Sequence, residues 1–369
     1  MSVRESASTR NHFAATPGSA RRLRTWGALL AASAVLPVGL LAGCGKPVDD
    51  AESAIVRTTT NIAGAGVVGL ERDTNKACAL PSAPDSSAGA DRSVRSTTGD
   101  VTVPADPKRI VVLSTPALDA VCALGLWERV VGAATVGGTT PQPSYLGYGI
   151  SEIPGIGVVG APDPAKIAAL DPDVIIGGAG DGASYEALKG IAPTVLVAAD
   201  AGWQAQFVGI AEALGRERAA DQVLADYRTA ARDAGNAVAA NLTQASVVRF
   251  GADDIQVQGG NSFAGQVLGD AGVQRPAAQR GASFDLANVA SQADRDKVEG
   301  DLIYVMFDGP DGREHGESVL RGDDWKKLQA VGDKRMFAVD DVIWHGDGVI
   351  AARALLDDLR NTLNGYVTD

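Results

Sequence analysis

From about residue 103 onward, short apolar runs alternate with longer amphipathic stretches. Residues 109–113 (RIVVL) read as a buried strand, with Ser114 or Thr115 to cap a helix, Pro116 in its first turn and Gly125 to stop it. Strands are expected at 130–134, 173–177 and 194–197, and Asp163-Pro164 opens a short helix. That alternation predicts a parallel α/β sheet. The pattern then changes. Residues 203–214 are helical, and 216–240 run without proline and with one late glycine, Gly235. Ala219, Val223, Tyr227 and Ala230 fall on one stripe, and at the helical rise such a segment reaches ~36 Å. A second α/β set follows, with strands at 246–250, 255–258, 301–307 and 335–339 and helices at 263–271, 324–331 and 348–363. Two α/β lobes of similar size, 103–202 and 244–369, are therefore expected, joined through a long helix in the region 203–243.

The N-terminal hundred residues follow other rules. Residues 44–102 are rich in Ala, Gly, Ser, Thr, Asp and Pro without a sustained period, which predicts a flexible tether. Within it, TNIAGAGVVGL at 60–70 is more apolar than a tether needs and is expected to form an arm on the first lobe. Residues 26–43 are an apolar run behind Arg21, Arg22 and Arg24, the layout of a secretory signal peptide. Its end, Leu41-Ala42-Gly43-Cys44, resembles the bacterial lipobox. That resemblance implies removal of residues 1–43, lipidation of Cys44 and anchoring to the outer face of the cell membrane. A transmembrane helix is the other reading, but the run is at the lower limit for a span and contains Pro37. The Arg21-Arg22 pair also admits twin-arginine export.

Charge and cysteine usage narrow the function. The chain carries a net charge of −12; without residues 1–43, which hold five arginines and Glu5, 28 basic and 44 acidic residues remain. Such an excess of acid speaks against a nucleic-acid partner, which demands a basic footprint. Beyond Cys44, only Cys78 and Cys122 remain. Two thiols in an exported protein suggest a disulfide. Cys122 also lies on an apolar face with Leu118 and Val121, which would suit a buried free thiol. The glycine run GGAGDG at 177–182 lacks dinucleotide-binding spacing, and no G-x-S-x-G elbow is present, so no enzyme activity is expected.

Three stretches resemble one family in the right order: RIVVLSTPALDAVCALGLWERVVG at 109–132, IAEALGRERAADQVLADYRTA at 210–230 and DDWKKLQAVGDKRMFAVDDVIW at 323–344. They look like the substrate-binding proteins of bacterial ABC importers, most of all the actinobacterial iron-siderophore or ferric-dicitrate lipoproteins. The resemblance implies a class III periplasmic binding protein fold, with two Rossmann-like lobes joined by a single long backbone helix. It implies a monomer that captures a ferric siderophore in a shallow cleft and delivers it to an ABC permease. Importers of this family grip a glutamate on each lobe. Here Ala165 stands in the first-lobe position and the second lobe offers no clear counterpart, which leaves permease docking in doubt and keeps open an envelope protein not coupled to an importer.

In such a fold, ligand contacts come from loops after the strands. The candidates are Ser114, Tyr145, Tyr148, Asn261, Phe263, Phe307, Trp344 and His345, with Arg280 and Arg249 as cations for an anionic complex. His315 and His345 are the histidines outside the signal region, too few for a zinc site, so no metal site is expected. His345 could ligate a haem axially, which is the alternative cargo.

Overall fold

The computed structural model describes residues 57–58, 60–137, 141–363 and 367–368, so the apolar run 26–43 and Cys44 lie outside the described residues. Buried branched residues build both sheets. Ile110–Val112, buried throughout, pairs in parallel with Val130–Thr135 on one side and Val174–Gly178 on the other. Thr194–Val197 closes one edge of this six-stranded sheet, and Gly155–Val158 with Ala161–Pro162 closes the other. The second lobe has seven strands, in the order Phe284–Leu286, Ile255–Val257, Ala245–Phe250, Leu302–Phe307, Met336–Ala338, Ala65–Val67 and Asn61–Ile62. Its centre is parallel and its two ends are antiparallel.

The segment expected as a tether is largely built into the fold. Ala65–Val67 pairs with Met336–Ala338 of the second lobe, not with the first lobe as the sequence suggested. Farther on, Cys78 is disulfide-bonded to Cys122 in the first lobe's helix Thr115–Ala123. Closing a loop of that length is worth ~4 kcal/mol in the chain-entropy model. Between these two points Arg72 pairs with Asp358 at 2.7 Å and donates to the Ala354 carbonyl, both on the C-terminal helix Val349–Leu363. The hairpin Asp91–Ser96/Gly99–Pro104 then hangs on the edge strand Thr194–Val197 through Thr97 N–H to Leu196 O and Leu196 N–H to Ser96 Oγ. The strand pairing and the Thr97 N–H bond satisfy backbone groups that a free tether would leave to water.

The helix between the lobes spans Glu217–Ala237, about 32 Å at the helical rise. Its packed face is Ala220, Leu224, Tyr227, Ala231 and Ala234, one position round from the stripe expected at Ala219, Val223 and Ala230, which are half-buried. Small residues on that face let the helices Trp203–Leu214 and Val349–Leu363 come close. Its start is held by the fully buried Arg216, which bonds Asp106 of the first lobe at 2.7 Å. Burial would raise the Asp106 carboxyl, but hydrogen bonds from Arg216, Lys108 and Arg129 outweigh it and hold the group well below the usual range. One helix was not foreseen. The sequence suggests a loop over 307–313, yet Gly309–Arg321 is a helix whose buried face is Gly312, Gly316 and Leu320. A Cβ on Gly316 would sit 2.6 Å from the Phe307 ring. The helix expected at 324–331 is instead two short turns, Trp325–Lys327 and Gln329–Gly332.

One apolar core runs through both lobes. It takes Val112 and Ile176 from the first sheet, Leu214, Leu224 and Tyr227 from the helices, and Val247 and Tyr304 from the second sheet. At its middle Asp119, fully buried on the first lobe's helix, caps the C-terminal helix. It accepts from Ile350 N–H at 2.9 Å, Ala351 N–H at 3.0 Å and the Tyr145 hydroxyl at 3.1 Å. Gly348 permits the approach, since a Cβ there would lie 2.2 Å from the Asp119 carboxyl carbon. Burial raises this carboxyl to about 6 despite the lowering by its three donors. A folded value above the ordinary 3.8 means that the folded protein holds a proton the unfolded chain has released. This contribution to stability is present below the unfolded value and lost as pH rises through about 6. Comparing wild type with Asp119→Asn by urea unfolding, the difference should move against the wild type by up to about 3 kcal/mol between acid and neutral pH. A pH-independent difference would mean that Asp119 does not titrate in this window.

Candidate ligand-binding cleft

The C-terminal strand ends of the two lobes face one another across a cleft with two hollows. The first, about 640 Å³, is lined by Asp200, Trp203 and Gln206 of the first lobe's side and by Gln258, Asn261, Phe263 and His345 of the second. The second, about 980 Å³, lies between the arm, Ser144 and Tyr145, and the second-lobe residues Phe307, Arg313 and Asp340. Both volumes suit a small-molecule ligand.

Local sequence explains the first hollow. Gly259 and Gly260 lie against the 280–283 segment so closely that a Cβ on either would meet its backbone at 2.2 Å and 2.7 Å. Gly259 N–H bonds Ser283 Oγ, and Ser262 caps the helix Phe263–Asp270 through Gly265 N–H. This fixes exposed Asn261 and buried Phe263 at the rim and floor. Phe263 meets Trp203 edge-on at 5.9 Å, and Trp203 meets Tyr227 of the backbone helix at 4.9 Å. The floor of the hollow is thus part of the shared core. His345 is exposed at its wall, beside Asp347, which adopts a left-handed backbone with φ of 50°.

The sequence-predicted residues divide accordingly. Asn261, Phe263 and His345 meet in one hollow, and Tyr145 and Phe307 meet in the other. Tyr145 is buried with its hydroxyl on Asp119, while Phe307 stacks on Phe250 at 5.8 Å. Ser114 is half-buried and caps its helix through Ala117 N–H. Tyr148 is 78% exposed and lines neither hollow. Arg280 is also exposed outside both, its Nε donating to the Arg275 carbonyl. Arg249 is held by Asp341 at 2.7 Å and Asp308 at 3.0 Å. The Asp341 hydrogen bond and charge raise its pKa, so it is a committed cation.

Trp344 is a correction. It is fully buried, packs on Tyr304 at 4.3 Å and donates Nε1–H to Asp358, the same carboxylate that holds Arg72 of the arm. The DVIW turn is a short helix, Asp341–Trp344, that directs the indole inward and leaves His345 at the surface. Sequence reasoning missed Gln206, Gln258 and the arm as cleft lining, because uncharged side chains in helices and strands carry no signal without the fold. Among the described residues, no group of three or more His, Cys, Asp or Glu is placed to hold a metal ion.

Comparison with known proteins agrees with this geometry. Residues 110–342 match the family model described as periplasmic binding protein. The chain belongs to that family. It is 30% identical over 271 residues, 70% of this chain and 83% of the relative, to a Bacillus subtilis lipoprotein named as a probable siderophore-binding protein, YfiY. It is 25% identical to the achromobactin-binding periplasmic protein of Dickeya dadantii, covering 69% of this chain and 85% of that one. Among solved structures, Staphylococcus aureus SirA with staphyloferrin B superposes with a TM-score of 0.63 at 25% identity, covering 74% of this chain and 98% of SirA. Class III architecture, with its mixed α/β lobes, is shared with these family members.

Replacing Trp344 by Ala should cost about 3–5 kcal/mol, by loss of core volume and of one partner of Asp358. Thermal unfolding measures this, and an unchanged Tm would contradict the core assignment.

Proposed function

We propose that this protein is an extracytoplasmic receptor that captures a ferric siderophore for uptake by an ABC importer and performs no chemistry on it. The observation that carries the reading is the cleft itself, a preformed hollow between two lobes with one core, in a chain whose family relatives are named for siderophores. A metal complex of this kind arrives rigid and fully assembled. A receptor for it needs shape and polar complementarity rather than a moving catalytic group.

Asn261, Phe263 and His345 would contact the complex in one hollow, and Tyr145 and Phe307 in the other. Arg280, exposed beside the 259–262 loop, and Tyr148 would act at the rim. Anchoring through a lipid on Cys44 would hold the receptor at the outer face of the membrane, close to its permease. The helix Pro164–Ala169 offers no glutamate for docking. Ala165 is exposed, and the neighbouring Asp163 is used as the cap of that helix. Contact with the permease would therefore rest on other groups of the lobe surfaces.

Trp203 under the first hollow provides the assay. Adding ferric siderophores of several classes to the purified mature protein should quench tryptophan fluorescence saturably with at least one of them, at micromolar Kd or tighter. Saturable quenching by haem alone, with none by any ferric siderophore, would overturn the reading.

A further inference from the structure

The cleft has a charge pattern that selects among ferric complexes, an inference that rests on the function proposed above and narrows its substrate class. The first hollow has no arginine or lysine among its lining residues, and the arginines that line the second or stand near it are paired. Arg249 holds Asp341 and Asp308, Arg72 holds Asp358, and Arg313 holds Glu317. By contrast, Asp200 and Asp347 line the first hollow, and neither makes a side-chain hydrogen bond or ion pair with a described residue.

The same hollow contains polar groups that wait without partners. Gln206, 5% exposed, and Gln258, 4% exposed, come from opposite lobes and line it together. Neither side-chain amide bonds to a described residue. Trp203, 2% exposed, has its Nε1–H buried with no acceptor. An unpaired buried donor such as the Trp203 Nε1–H costs roughly 1–3 kcal/mol, so this indole, with the two amides open to the hollow beside it, marks a receptor surface that a ligand completes. They are neutral donors and acceptors, matched to amide, hydroxamate and hydroxyl groups.

We infer that the cleft takes a neutral or cationic ferric complex of the hydroxamate type, and discriminates against triply anionic catecholate complexes. Ferric ion bound by three singly charged hydroxamates is neutral, and a free amine on the chelator makes the complex cationic. Three doubly charged catecholates leave a charge of minus three, which would meet Asp200 and Asp347 with no uncommitted cation among the lining residues. Like-charge juxtaposition of this sort costs several kcal/mol. Arg280 is exposed and is not among the residues that line either hollow.

The test is a fluorescence titration of the mature protein with a cationic linear tris-hydroxamate ferric complex, a neutral tris-hydroxamate one and a tris-catecholate one. The two hydroxamates should bind at least about tenfold tighter than the catecholate. In the Asp200→Asn/Asp347→Asn double variant, both changes being isosteric and at exposed positions, that ratio should shrink severalfold with unchanged Tm. Gln258→Leu should weaken the hydroxamate complexes about tenfold or more. Catecholate binding as tight as hydroxamate binding, or a ratio unmoved in the double variant, would overturn the inference while leaving ferric-siderophore capture intact. Absence of binding by all three would overturn this inference alone, since the proposed function falls only if ferric siderophores of every class fail to bind.

Discussion

The two lobes are tied together by a core that they share, although the outer face of each sheet also has an apolar cluster of its own. The apolar interior that begins on the first sheet continues through the helices Trp203–Leu214, Glu217–Ala237 and Val349–Leu363 into the second. Opening a hinge would expose that interior to water at roughly 25 cal/mol for each square ångström. Three further ties reinforce it. Asp119 of the first lobe caps the C-terminal helix, Arg72 of the arm bonds Asp358, and the arm is fixed to one lobe by a strand and to the other by a disulfide. Most of these ties join residues far apart in sequence, so they hold the lobes at a set spacing in the folded state only.

A fixed spacing places the burden of recognition on side chains already in position. Phe263 and Trp203 cannot swing away without disturbing Tyr227 beneath them. Gln206 and Gln258 face one another's lobe across a hollow whose width is set by the core. The Trp203 Nε1–H beneath them is buried without an acceptor, which is costly in the empty protein. The paired arginines follow the same logic, since cations within a stiff, acidic chain are used to hold short elements such as the helix Asp341–Trp344.

Much of the architecture was legible because it depends on local pattern. The run RIVVL, the cap at Ser114 and the proline-free helix after Gly215 each announce their element through residue type and spacing. What was illegible depends on contact. Gly312 and Gly316 carry no helical signal until the Phe250 backbone is found against the first and the Phe307 ring against the second. Trp344 looks like a ligand wall until its indole is found on Asp358, and the arm looks like a tether until Ala65–Val67 joins the second sheet. The cleft amides were invisible for the same reason, as nothing near Gln206 or Gln258 in sequence tells which lobe they will face.

Stiffness is the claim on which the cleft, its waiting polar groups and its charge selection all depend. It is measured most directly as the distance between spin labels at Lys166 of the first lobe and Lys326 of the second, both exposed. The distance would be read by pulsed electron resonance with and without a gallium(III)-loaded siderophore, which replaces paramagnetic iron. The account predicts one narrow distribution in each state, with means within about 2 Å of each other. A shift beyond about 5 Å, or a broad distribution that sharpens on binding, would indicate hinge closure and contradict it.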